Sequence, residues 1–143
     1  MAVLHFEADA GGACPVAFGG PTDVLVYFLS FAFSTRYGAQ HELARLALLL
    51  RSRWKIDLAP LTTFADREVE VEADRRELER VWQDAAKLAE TLRKTVEVLD
   101  SGDPQVGELT AATPDLRDRL DDLRRMAEWA AGQGARARLS FTL

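Results

Sequence analysis

Cys14 is the one thiol of the chain, and it sits before Pro15 in a glycine-rich stretch, residues 9–20, between Gly11-Gly12 and Gly19-Gly20. A thiolate near a positive helix end or a histidine is a nucleophile, so Cys14 with His41 is the first pair to weigh. No histidine or lysine adjoins Cys14 in sequence, and a free cysteine in such company ordinarily behaves as a small apolar side chain. The second histidine, His5, lies in an alternating segment with Glu7. His41-Glu42 opens like a zinc-protease motif, but no second histidine follows four residues on. A metal set would need residues gathered from separate elements, so neither a metal nor a cofactor is expected. Gly19-Gly20 ahead of a helix start could hold an anion on backbone N–H groups; the chain has no G-x-G-x-x-G and no P-loop lysine to support that reading.

A second group is basic and aromatic: Arg51, Arg53, Trp54 and Lys55. Such residues contact phosphates and stack on bases in nucleic-acid proteins. One short patch on an acidic chain reads better as a helix end, where arginines suit the terminal carbonyls. Leu48 and Leu49 lie just upstream, outside the main apolar stripe of their helix, so Leu48, Leu49, Arg51, Arg53 and Trp54 form a candidate contact surface.

A third pair of clusters has opposite signs. Glu68, Glu70 and Glu72 alternate with Val69 and Val71, and Arg136 and Arg138 alternate with Ala137 and Leu139. Period-two alternation reads as strand, and opposite charges across two strands contribute about 0.2–1 kcal/mol per pair. The two segments are therefore expected to pair, with Val69, Val71, Leu139, Phe141 and Leu143 buried beneath them.

These residues need elements to position them. Residues 2–8 alternate as a strand, as do 67–73 and 136–143; Trp54, Ile56 and Leu58 suggest a further short strand at 54–58 that Pro60 would end. Residues 24–33 are apolar on every side, which periodicity alone cannot assign. Thr22 and Asp23 are good N-caps, so a helix near 22–34 is expected. Tyr37-Gly38 reads as a break, and Leu43, Leu46, Ala47 and Leu50 recur at helical spacing over 40–53.

Asp74-Arg75-Arg76-Glu77 has the form of a capping box and predicts a long helix over 74–99. Leu78, Trp82, Ala85, Ala89, Leu92, Val96 and Leu99 give it a heptad seam. Asp103-Pro104 predicts a helix of one or two turns, and Thr113-Pro114-Asp115 starts another near 114–131 with its own seam from Leu116 to Ala130. The two seams predict an antiparallel hairpin packed on a small, mostly antiparallel sheet: an α+β fold in a single domain, 1–143.

The chain has 143 residues and a net charge of -5, which disfavours generic nucleic-acid or anionic-membrane binding. The apolar run at 24–33, interrupted only by Ser30, is half the roughly 20 residues a membrane-spanning helix needs. Residues 1–10 lack a signal peptide's basic start and apolar run, and the lone cysteine fits a reducing, cytoplasmic setting. Abundant arginine and alanine suggest a bacterial genome rich in GC. With no catalytic constellation, the expected function is a non-enzymatic protein-interaction module, homodimeric or paired with another protein in the manner of accessory, antitoxin or immunity proteins. The alternatives are a small-ligand protein or enzyme built on the 9–20 loop with Cys14, His5, Glu7 and His41, and nucleic-acid binding through Arg51, Arg53, Trp54 and Lys55.

Overall fold

The computed structural model describes residues 1–34 and 40–143; the predicted break at Tyr37-Gly38 lies outside them. Strand β1 (Val3–Ala8) pairs antiparallel with β4 (Arg136–Thr142) in the register Val3↔Thr142 to Ala8↔Ala137. The other edge of β4 is shared. Its C-terminal half pairs in parallel with β2 (Phe64–Asp66), and its first residues pair antiparallel with β3 (Gln83–Asp84). The sheet is thus small, four-stranded and mixed, with the last strand of the chain at its centre. Alternation along β1 and β4 sends Leu4, Ala137 and Leu139 into the core, each nearly inaccessible to solvent.

The apolar run at 24–33 folds as helix α1 (Asp23–Phe33). Thr22 occupies its N-cap position, but its hydroxyl accepts from Leu4 N–H (2.9 Å) and so ties the helix start to β1 instead of capping the helix. Helix α2 (Glu42–Ser52) buries Leu43, Leu46, Ala47 and Leu50, the stripe its spacing predicted. The strand expected at 54–58 does not form. Lys55 adopts a left-handed backbone (φ 57), which breaks extension, and Ala59–Thr62 turns as a short 3₁₀ segment.

The acidic strand expected at 67–73 is also absent. The sheet ends early: Arg67 N–H still reaches Phe141 O (2.9 Å), then Asp66 turns the chain by accepting from Glu68 N–H (2.9 Å). Asp74 reaches back to the N–H groups of Glu70 and Val71, and helix α3 (Glu72–Arg80) begins two residues earlier than its capping pattern suggested. Val69 and Val71 are consequently exposed, as is Leu143, while Leu139 is fully buried and Phe141 half-buried.

The helix predicted over 74–99 is two helices. Between them Gln83 and Asp84 join the sheet, and Asp84 caps α4 (Ala85–Leu99) by accepting from Ala86 N–H (2.9 Å). A strong cap inside the heptad run therefore wins over the run itself. From Ala85 onward the seam behaves as expected: α4 lies antiparallel against α6 (Leu116–Gly132), with Leu88, Leu92, Leu116, Leu120 and Leu123 wholly buried. Each such leucine contributes about 1.5–3 kcal/mol by burial. Arg117 clamps the start of α6 to Asp100 at the end of α4 through two 2.9 Å bonds, and α5 (Pro104–Thr110), capped by Asp103, links them. Gly134, at φ 66, closes α6: Ala135 N–H bonds Ala130 O and Gly134 N–H bonds Ala131 O, a Schellman arrangement. Among the described residues, no helix is long and apolar enough to cross a membrane.

Candidate functional site

Of the four residues expected around the glycine-rich loop, three come together. His5, Glu7 and Cys14 line one open depression of about 430 Å³ beside β1, with Phe18 and Arg67. His41 does not join them. The chemistry there is already committed to structure. Glu7 carries two ion pairs, to Arg138 (2.9 Å) and Arg67 (3.4 Å). His5 Nε2 lies 3.1 Å from Thr142 Oγ1, and burial, then the nearby Arg67 charge, pushes its pKa below the ordinary value. Cys14 is half-buried and packs against the core. Among the described residues no hydrogen bond joins it to either partner, and no group of three metal-ligating side chains converges.

The loop's second glycine pair serves packing. Gly19 N–H donates to Asp122 Oδ2 (2.9 Å), so the backbone donor proposed for an external anion already holds an internal one. Asp122 is 5% exposed on α6 and is flanked by Arg119 (3.2 Å) and Arg125. Gly20 lies so close to Arg119 that a Cβ there would stand 2.1 Å from Nη1.

The basic-aromatic run is likewise engaged. Arg51 donates to Ala32 O (2.8 Å), satisfying a terminal carbonyl of α1. Arg53 pairs with Asp103 (2.7 Å) and lies 4.4 Å over the ring of Trp54, which packs half-buried on the core. Leu49 is half-buried too, so of the predicted contact surface Leu48, at 63% exposure, is the apolar member left outward. Lys55 is exposed.

A larger cavity, about 650 Å³, opens elsewhere, where three helices begin. Val24, Tyr27 and Phe31 of α1 form one wall; Pro21, Leu43 and Pro114 close it. His41 belongs here. Its ring stacks on Phe31 (centroids 4.2 Å apart, planes 14° apart) while Nδ1 accepts from Leu43 N–H (3.1 Å) and caps α2. That bond leaves Nδ1 without a proton, so its 4.0 Å approach to Glu42 is proximity and not an ion pair. Among the described residues the charged side chains lining the cavity are Asp23, at the start of α1, and Asp115, the N-cap of α6, and Met1 lines it as well.

No family model, curated protein or solved structure matches this chain. What the site does must come from its own geometry. The cavity lies in the volume range of ligand pockets and is mainly apolar, with polar groups at its rim. It continues onto the outward face of α1, where Tyr27 is 49% and Phe33 68% exposed, with Ser30 between them. Phe33 meets Phe64 edge-on, and Phe64 meets Phe141 in the same way, both at 5.8 Å. Sequence reasoning missed these residues because an apolar-all-round helix reads as a buried one. The available signal was four aromatic side chains, Tyr27, Phe28, Phe31 and Phe33, on a helix where only Phe28 and its aliphatic neighbours were needed for the core.

Proposed function

We propose that this chain is a non-enzymatic protein-interaction module that docks a partner on the outward face of α1. One observation carries the reading: a helix with no charged residue after Asp23 faces solvent with Tyr27 and Phe33, beside the half-buried Phe31. A helix apolar on all sides ordinarily finds cover on all sides. Covering an aromatic side chain fully is worth about 1.5–3 kcal/mol, so the two exposed ones can anchor an interface.

The charge balance favours a different protein over a second copy. The chain carries -5, and the cavity beside the face is rimmed by Asp23 and Asp115, so self-association would bring like charges together. A basic partner would not. The accessory, antitoxin or immunity type of role, in a cytoplasmic setting, accords with this balance.

The test is capture by the tagged chain from its source cells, followed by reconstitution of the purified pair. The wild type should form a stoichiometric complex with a basic protein. Tyr27→Asp and Phe33→Asp should lose it, and Val71→Asp, on a different exposed site, should keep it. A complex that survives both α1 substitutions contradicts the reading, as does a stable dimer of the chain that buries this face.

A further inference from the structure

Strand β1 lies at an edge of the sheet. Asp9 N–H bonds Arg136 O (3.1 Å), which continues the β1–β4 register and fixes the way each residue faces. The backbone groups of Val3, His5 and Glu7 therefore point to β4, and those of Leu4, Phe6 and Ala8 point away from it. Thr22 Oγ1 takes Leu4 N–H (2.9 Å). Among the described residues, Leu4 C=O, Phe6 N–H, Phe6 C=O and Ala8 N–H have no partner. Proteins ordinarily guard such an edge with proline, lysine, a bulge or a covering segment, yet Val3–Ala8 has no proline or lysine and pairs without a bulge. The neighbouring segment does not pair with it. Cys14, Val16 and Phe18 pack on the core at alternate positions, with Ala13, Pro15 and Ala17 outward, and residues 10–18 make no hydrogen bond among the described residues. Strand and segment together line the open depression of about 430 Å³. Its floor is apolar, from Phe6, Cys14, Val16, Phe18 and Met126, while His5 and Glu7 stand on the other face of the strand.

We propose that β1 accepts an extended segment of a partner protein as an added strand, antiparallel to it and seated on that floor. A row of backbone donors and acceptors recognises an extended backbone, and the floor selects alternate side chains. Residues of the segment opposite Phe6 and Ala8 meet the free groups and rest on the apolar floor; the residue between them lies beside Glu7. A segment alternating apolar and polar residues fits this surface. A second copy of the chain does not. A twofold joint centred on Phe6 sets Leu4 against Ala8 of the copy, where Thr22 and the start of α1 already hold Leu4 N–H. The six residues of β1 also span only about 20 Å, too narrow a joint to bury the roughly 1,200 Å² of a stable pair of folded chains. A lone segment binds reversibly on main-chain bonds and side-chain pockets. The site does not rest on the α1 reading.

The probe is an acetylated, amidated five-residue peptide in which threonine and valine alternate, with valine second and fourth. In the antiparallel pairing its valine N–H groups face β1 and its threonine N–H groups face away. NMR of the full chain follows the Phe6 and Ala8 amides. Both should shift saturably, and at saturation both should exchange with solvent about tenfold more slowly. Methylating the two valine nitrogens should weaken binding about tenfold or more, since two main-chain bonds are lost. Methylating threonine nitrogens instead should leave it unchanged. Ala8→Pro removes one outward N–H, which an edge strand tolerates, and should weaken binding while the β4 amide signals stay in place. Ala8→Ser should bind as the wild type does. Equal binding of the two methylated peptides overturns the proposal, as does the absence of saturable shifts at Phe6 and Ala8. Slow exchange of both amides that grows with protein concentration, without peptide, overturns it in favour of a second copy.

Discussion

Phe31 and His41 stack ring on ring, 4.2 Å apart, across the gap between the outward face of one helix and the cap of the next. The contact fixes the wall of the cavity, because the same imidazole holds Leu43 N–H at 3.1 Å. His41→Ala should therefore lower stability by about 1–2 kcal/mol, roughly 1 from the cap and the rest from stacking. His41→Asn should recover the cap share alone. Urea midpoints with an unchanged slope would show both. Equal losses in the two variants would mean that His41 does not cap α2.

Glu7 and Arg138 face each other across β1 and β4, 2.9 Å apart, and Arg138 also donates to Leu78 O and lies 4.5 Å over Trp82. Its side chain is 12% exposed. Arg138→Ala should cost about 1.5–3 kcal/mol, since it strips a charged hydrogen bond and the packing on Trp82. Glu68→Ala and Glu70→Ala should stay within about 0.5 kcal/mol, as exposed residues with no such partner role. Thermal unfolding of the three variants shows whether Arg138 depends on the acidic residues the sequence suggests.

Among the described residues Asp122 is a buried charge, held by Gly19 N–H, Arg119 and Arg125. Removing one side of a buried pair leaves the other uncompensated, at about 3–5 kcal/mol. Asp122→Ala should fall near the lower end because Arg125 is half-exposed, and it should free the 9–20 loop. Faster proteolysis within 9–20 together with the stability loss is the expected pair of observations; a stability loss with the loop still protected would break the link.

Acid should weaken the fold in a defined order. The Arg136 guanidinium and backbone hold the Asp9 carboxyl below 3.8, and the Arg117 guanidinium does the same for Asp100. Asp103 is held below 3.8 first by the N–H of Val106 and then by Arg53. A depressed carboxylate stabilises the fold above its unfolded pKa, and that contribution disappears as pH falls through the folded value. His5, lowered below 6.5 by burial, gives an earlier loss, because the unfolded chain takes its proton first. Urea midpoints should decline gently as pH falls below 6.5 and more steeply below 3.8. Asp100→Asn should flatten the second stage, and high salt should shrink it because these pairs are exposed. A midpoint that is flat from pH 7 to 3 would contradict these assignments.

Most of the architecture was legible where one local signal acted alone. The α6 seam from Leu116 to Ala130, the alternation of β1 and β4, and the cap at Asp103 each met no competitor. The misreadings fall where two signals overlapped. Alternation at 68–72 lost to the Asx turn at Asp66 and the reach of Asp74, and the heptad run lost to the cap at Asp84. The basic strand does meet acidic residues, but they are Glu7 on the first strand and Asp9 just past its end, which few-residue windows cannot bring together.

The candidate site was less legible. Its lining comes from residues 21–31, 41–43 and 112–115, which only the packing of three helix starts unites. His41 was visible as a polar residue at a helix start, and its neighbourhood was not. The uncharged run at 24–33 was conspicuous, but which of its faces the core would leave uncovered depended on the placement of α2 and the sheet.

The most direct measurement is hydrogen exchange of the reconstituted complex against the free chain. Docking on the outward face of α1 predicts new protection over Asp23–Phe33, with residues 41–43 and 112–115, and little change in α3. Protection confined to α3 or to the free edge of β1, with α1 exchanging as before, would contradict the account.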